Sequence, residues 1–187
     1  MRLETARLIL RDWRDEDLAP FLLHTNTPAV MRWLGGVMDE ATCATIVGKL
    51  RSWADEYGHT FWAVQRNDDG GHLAGEIIGF CGLKRADLPT GPQGDFEIGW
   101  RLREDAWGMG FAREAAQATL AAAFGTFDAP HVVAFTVAEN TPSWGLMERL
   151  GMARRKDLDF ILEPTGRFER EDIIVYAITQ EDWEKQA

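Results

Sequence analysis

The chain has 187 residues, 45% hydrophobic and 27% charged, a balance that suits one soluble globular domain with its own core, here spanning 1–187. Acidic residues outnumber basic ones, 30 to 20, for a formal net charge of −10, which argues against nucleic acid and anionic lipid as partners. Cys43 and Cys81 form no CxxC or Cys/His cluster, the N-terminus has no signal-peptide pattern, and no stretch approaches a membrane span. Two reduced thiols in a cytoplasmic protein are therefore expected, with no zinc site.

Arg7 to Trp13 alternates apolar and polar residues and reads as a first strand. Asp15 starts a short helix carrying Leu18, Phe21 and Leu22. Thr27-Pro28 has the form of a second helix start, stopped by Gly35-Gly36. Asp39 caps a longer helix whose stripe runs through Cys43, Ile46, Val47, Leu50, Trp53, Ala54 and Tyr57, and Gly58 ends it. Thr60–Gln65 and Glu76–Leu83 form a hairpin around Asp68-Asp69-Gly70-Gly71. After an exposed loop, Phe96–Leu102 is a strand, Ala112–Phe127 a helix, and His131–Val137 an apolar strand suited to a sheet centre. Thr141-Pro142 opens a further helix that Gly151 closes. Two weaker strands follow, near Leu158–Leu162 and Asp172–Ile178. Strands flanking single helices imply a parallel pair inside a mixed sheet.

The informative stretch is FEIGWRLREDAWGMGFAREAAQATL. Gly108 and Gly110 let the backbone turn tightly and approach a ligand, and the helix that follows opens with unpaired N–H groups and a dipole that favours an anion. Arg113 in the first helical turn opposes that dipole unless a phosphate or a neighbouring acid, Glu104 or Glu114, compensates. A dinucleotide fingerprint needs a third glycine where Arg113 stands, although Glu139 could imitate the ribose-binding acid. The missing GK[ST] excludes a P-loop.

The run resembles motif A of the GCN5-related N-acetyltransferases, [QR]-x-x-G-x-[GA], with Gly110 and Ala112 at its last two positions. Trp107 in place of Gln or Arg is similar to the branch of the ribosomal-protein alanine acetyltransferases. LETARLILRDW, IGFCGL and NTPSWGLMERLGM resemble that branch too, so the likeness spans nearly the whole chain. It implies an α/β (α+β) fold: a central mixed, mostly antiparallel sheet of about six to seven strands flanked by helices, with one splayed parallel pair. It implies acetyl-CoA as cosubstrate without a metal, an amine acceptor, and a monomer or homodimer.

By that resemblance the pantetheine arm would pair with strand backbone at Trp100, Arg101 and Leu102. The pyrophosphate would sit on amides of Trp107, Gly108, Met109, Gly110, Phe111, Ala112 and Arg113, and Asn140 would contact the arm or cap the next helix. Alkyl amines titrate near ~10, so a positioned base is useful. Glu97 matches the family's strand glutamate; the alternative for it is a solvated carboxylate paired with Arg101. Many members carry a tyrosine acid at the position of Met147; here Ser143, one turn earlier, resembles the serine that replaces it, or else it satisfies helix-terminal backbone. Glu163 is a remoter base candidate. Trp33 and Trp53 are acceptor-pocket walls or core. The Arg154-Arg155-Lys156 run is a contact to the cofactor 3′-phosphate or a solvated charge run. A non-catalytic acyl-CoA sensor is the competing function.

Overall fold

The computed structural model describes residues 1–186. Nine strands make one sheet: β1 (Arg2–Glu4), β2 (Leu8–Arg11), β3 (Phe61–Arg66), β4 (Ile77–Arg85), β5 (Phe96–Leu102), β6 (His131–Val137), β7 (Ala153–Arg154), β8 (Phe160–Leu162) and β9 (Glu171–Thr179). Their order is β1-β2-β3-β4-β5-β6-β9-β7, with β8 also on β9. Only β5 and β6 run parallel; every other pair is antiparallel. That topology removes the dinucleotide reading, which needs a doubly wound parallel sheet. The mixed sheet, the single parallel pair and the flanking helices agree with expectation, while the strand count exceeds it. The additions include β1 and β7, of three and two residues, too short to show a period.

Side chains alternate across the strands. Trp62 and Val64 of β3, Ile98 and Leu102 of β5, and Val132 and Ala134 of β6 face one core, which α3 (Phe111–Gly125) and α4 (Thr141–Arg149) close with Ala116, Leu120, Leu146 and Met147. Ala63 and Ile77 face the other side, under α1 (Leu18–Thr25) and α2 (Glu40–Tyr57), with Phe21, Val47 and Leu50. Val133 and Val137 of β6 join Val175 of β9 in a third cluster, with Trp33 against it. Trp53 packs against the second cluster as a core residue. Both cysteines are free and buried. A short α5 (Gln180–Glu184) is the last helix among the described residues. Among the described residues no helix is long and apolar enough to cross a membrane.

Local chemistry explains most boundaries. Asp39 Oδ1 accepts from Thr42 N–H at 2.7 Å and Gly58, at φ 73°, ends α2. The helix expected from Thr27-Pro28 does not form. Thr27 does act as a cap, its Oγ1 accepting from Val30 N–H, but one turn later the Met31 carbonyl takes both Leu34 and Gly36 N–H groups. Gly35 and Gly36, both at positive φ, lead the chain away. Residues 27–36 are consecutive turns.

β4 crosses β3 and β5 closely. A Cβ on Gly82 would run into the Thr60 carbonyl and stand 2.8 Å from Phe61 Cα, backbone that cannot yield. Gly82→Ala is therefore expected to destabilise the fold by about 3 kcal/mol, the upper range for overpacking, read as a lower urea midpoint at unchanged m-value.

Candidate functional site

β5 and β6 pair only at Phe96↔Val132 and Glu97↔Val133. Each is fully paired on its outer edge, β5 to β4 and β6 to β9. Beyond Glu97 the two strands part, and their facing backbone edges have no protein partner among the described residues. Gly99, Trp100, Phe135 and Thr136 are partly exposed where the gap opens. Unpaired strand edges inside a sheet hold the donors and acceptors that an extended amide-bearing ligand can use.

The gap ends at the glycine turn. Gly108 and Gly110 adopt φ 72° and 80°, and Gly110 is the N-cap of α3. Among the described residues, none of the backbone N–H groups from Gly108 to Arg113 donates to a protein acceptor. Six consecutive free donors at a helix N-terminus form an anion cradle. Trp107 and Met109 flank it, 50% and 43% exposed, with Trp107 Nε1 donating to the Leu102 carbonyl. Phe111 is buried, Ala112 half-buried, and Arg113 exposed with no ion pair among the described residues. The acid offered as its alternative partner, Glu114, binds Arg7 (2.6 Å) and Thr5 instead. Glu104 accepts from Thr27.

Arg7 is a residue that sequence reasoning missed. Its Nη1 donates to the Met109 carbonyl at 3.0 Å and its guanidinium covers the Phe111 ring at 4.6 Å. It fixes the turn from outside, its charge balanced by Glu114. The sequence marks Arg7 only as the first residue of the expected first strand, about a hundred residues from the turn it holds.

Glu97 lies on the sheet face opposite α3, 9% exposed. Neither the solvated state nor the Arg101 pairing considered for it occurs. Lys84, its direct cross-strand neighbour, places Nζ 2.9 Å from Oε2. The contact is charge–charge, off hydrogen-bond geometry, and Oε2 accepts no hydrogen bond. Burial pushes the Glu97 carboxyl up to about 7, against the pull of Lys84 and with a small push from Asp87. Burial also disfavours the Lys84 ammonium, but Glu97 and Asp87 outweigh it and hold its pKa above the ordinary value. The proton stays on lysine, and the carboxyl titrates near neutrality, where a general base works best.

Arg101 points to the same face but away from Glu97, between Phe21 and Phe80, 4.4 and 5.3 Å from their ring centres. Trp100 packs against the large core and Leu102 lies within it. On the other lip of the gap, Asn140 precedes α4. It is the N-cap of α4, its carbonyl accepting from Ser143 and Trp144 N–H, but its side chain donates to Thr136 Oγ1 (2.9 Å) and makes no capping bond. Ser143, half-buried in the first turn of α4, has no hydrogen bond to its hydroxyl among the described residues, so the backbone-satisfying alternative for it fails. Met147 is buried in the core. Glu163 is exposed beyond β8. Arg154 and Arg155 pair with Asp159 and Asp157, as a solvated charge run does. Two open surface clefts, of about 470 and 340 Å³, lie elsewhere, around Asp12–Glu16 with Arg51 and around Arg11, Gln65 and Glu76.

Residues 7–153 match the acetyltransferase (GNAT) domain family. An uncharacterized N-acetyltransferase of Bacillus subtilis, YnaD, is 29% identical over 98% of this chain and 99% of its own length. The crystal structure of a GNAT-family acetyltransferase from Bacillus anthracis superposes with TM-score 0.78 at 27% identity, over 97% of this chain and 99% of that one. A spermidine N-acetyltransferase from Vibrio cholerae, solved with CoA and spermine, shares the fold at TM-score 0.72 and 16% identity, over 96% and 99% of the two chains. With a parted parallel strand pair, an anion cradle at one end and a near-neutral carboxyl beside the point of parting, the chain belongs to the GNAT acetyltransferase family and is an acyltransferase enzyme.

Proposed function

We propose that this enzyme, acting as a single domain over its full length, moves an acetyl group from acetyl-CoA to a primary amine by direct attack within a ternary complex. The observation that carries the reading is the parting of β5 from β6 directly after Glu97, with free donors at the open end. The residues fit acetyl-CoA. The N–H groups of 108–113 suit a pyrophosphate, aided by the charge of Arg113, with Arg7 bracing the turn from behind. The free β5 edge at Trp100, Arg101 and Leu102 suits the amides of a pantetheine arm, and Asn140 stands on the opposite lip. The match of residues 7–153 to the acetyltransferase domain family supports the same ligand.

Acetyl-CoA supplies an activated acyl carbon with a thiolate leaving group. The chain supplies the rest. Glu97, near half-ionised at neutral pH, takes the proton that the attacking amine must lose. Free β5 N–H groups beyond Glu97 offer donors to the acyl oxygen as it gains charge. The Ser143 hydroxyl is available to protonate sulfur, a modest task because a thiol pKa of about 8.5 already makes a fair leaving group. A protein N-terminus and a small amine both remain acceptors by this reading, and a non-catalytic sensor is its competitor.

CoA release with a panel of amines and peptides tests the proposal. Glu97→Gln is expected to lower kcat/KM by about 100-fold or more, the usual worth of a positioned base, with acetyl-CoA affinity retained. Wild-type protein that binds CoA but acetylates no amine in the panel would leave the sensor reading standing instead.

The pH profile gives a second check. A base must be deprotonated, so kcat/KM should rise with pH up to about 7 and then level. Lys84→Met removes the charge that holds the carboxyl down and should move that limb to higher pH. A limb that stays in place would assign the titration to another group.

For the cradle, Gly110→Ala forces an L side chain to φ 80° beside Arg7 Nη2, 3.4 Å away. The strain of roughly 1–2 kcal/mol is expected to weaken acetyl-CoA about tenfold by calorimetry, with helix content unchanged.

A further inference from the structure

The face of β5 that carries Glu97 also holds a buried cation, with no counter-ion among the described residues. Arg101 is 8% exposed. Its Nη1 donates to Met31 Sδ at 3.1 Å, and its Nε has no acceptor. Among the described residues no carboxylate lies within ion-pair distance of it. Ring faces and a thioether compensate little for removing a guanidinium from water. Burial draws its pKa down to about 10; Arg167 adds to that and Cys43 counters it. Carboxylates are not scarce in a chain with 30 of them. The other buried arginines have theirs: Arg11 holds Asp17, Arg66 holds Asp69, and Arg103 holds Glu76 and Asp105.

A second guanidinium meets the same turn. Arg167 Nη2 donates to the carbonyls of Leu34 (2.6 Å) and Gly36 (3.3 Å) and has no acidic partner among the described residues. The turn from Met31 to Gly36 thus touches both arginines. Its tip, Gly36, is exposed, with open space where a side chain would stand. Along β5, Arg101 shares its face with Glu97 four residues away, about 13 Å by strand rise.

We propose that Arg101 and Arg167 form a carboxylate subsite, so that the amine this enzyme acetylates carries an acidic group several bonds from its nitrogen. The inference rests on the acetyl-transfer reading for the role of the amine, but the subsite itself does not. It differs from a polycationic acceptor, for which two unpaired guanidiniums on this face would be repulsive. The acceptor of a relative at 16% identity does not transfer. In the subsite, the orphan Nε and the remaining Nη protons would find a bidentate acceptor, and Arg167 would exchange carbonyl partners for a charged one.

The test uses full-length protein saturated with CoA and titrated with glutarate, a carboxylate without an amine, or with uncharged glutaramide. Glutarate is expected to bind and glutaramide not. Arg101→Met and Arg167→Met should each weaken glutarate by about tenfold or more, as loss of a charge-assisted pair does. Arg167 lies outside helix and strand, so Arg167→Met keeps the test decisive if Arg101→Met fails to fold. In turnover, wild type should favour 6-aminohexanoate over 6-aminohexanamide through KM, and the variants should bring the two near parity. Glutarate and glutaramide binding alike, or glutarate affinity untouched in Arg167→Met, overturns the subsite. Glutarate binding without turnover of any amine would instead refute acetyl transfer and leave the subsite in place.

Discussion

The structure turns on a hydrogen-bond ladder that stops. β5 and β6 share two registered pairs and then diverge, although each is bonded along its whole outer edge. Right-handed twist accumulates between neighbouring strands, and α3 packs on β4 and β5 more than on β6, so the halves of the sheet follow different partners. Backbone groups at the rent are left without protein partners, a state that a soluble fold keeps where a ligand can supply what is missing. The glycine turn, the free helix N-terminus and the carboxyl of Glu97 all take their positions from that divergence.

The elements that sequence revealed are those whose signals are local. The bounds of β5 and β6 match the strands expected, and Asp39 and Gly58 bracket α2 through contacts within four residues. The cradle was legible for the same reason: its glycines and helix start are contiguous. Residues 27–36 misled because a capping hydroxyl and a proline can start a turn of helix that two glycines then dissolve.

What stayed hidden is long-range. Lys84 meets Glu97 because the β4–β5 register sets them opposite each other, and no spacing along the chain encodes a register. Arg7 reaches across more than a hundred residues to hold Glu114 and Met109. Arg101 shares strand and face with Glu97, yet its side chain turns towards the aromatic rings of α1 and β4. A net charge of −10 likewise gives no hint that the sheet face beside the base presents two guanidiniums without acids. The sum over a surface and the field within a site are separate quantities.

The cysteines carry a consequence for chemistry on the bench. Burial pushes the Cys81 thiol up to about 12, with Thr119 opposing, and raises Cys43 too, against Arg101 and Arg167. Only thiolate attacks a disulfide reagent, and both sulfurs are sealed inside the folded chain. In the native enzyme, an aromatic disulfide added to follow the liberated coenzyme will colour with product sulfur alone. A slow second rise in absorbance would mark unfolding, which makes one cuvette both a clock for turnover and a gauge of the intact fold.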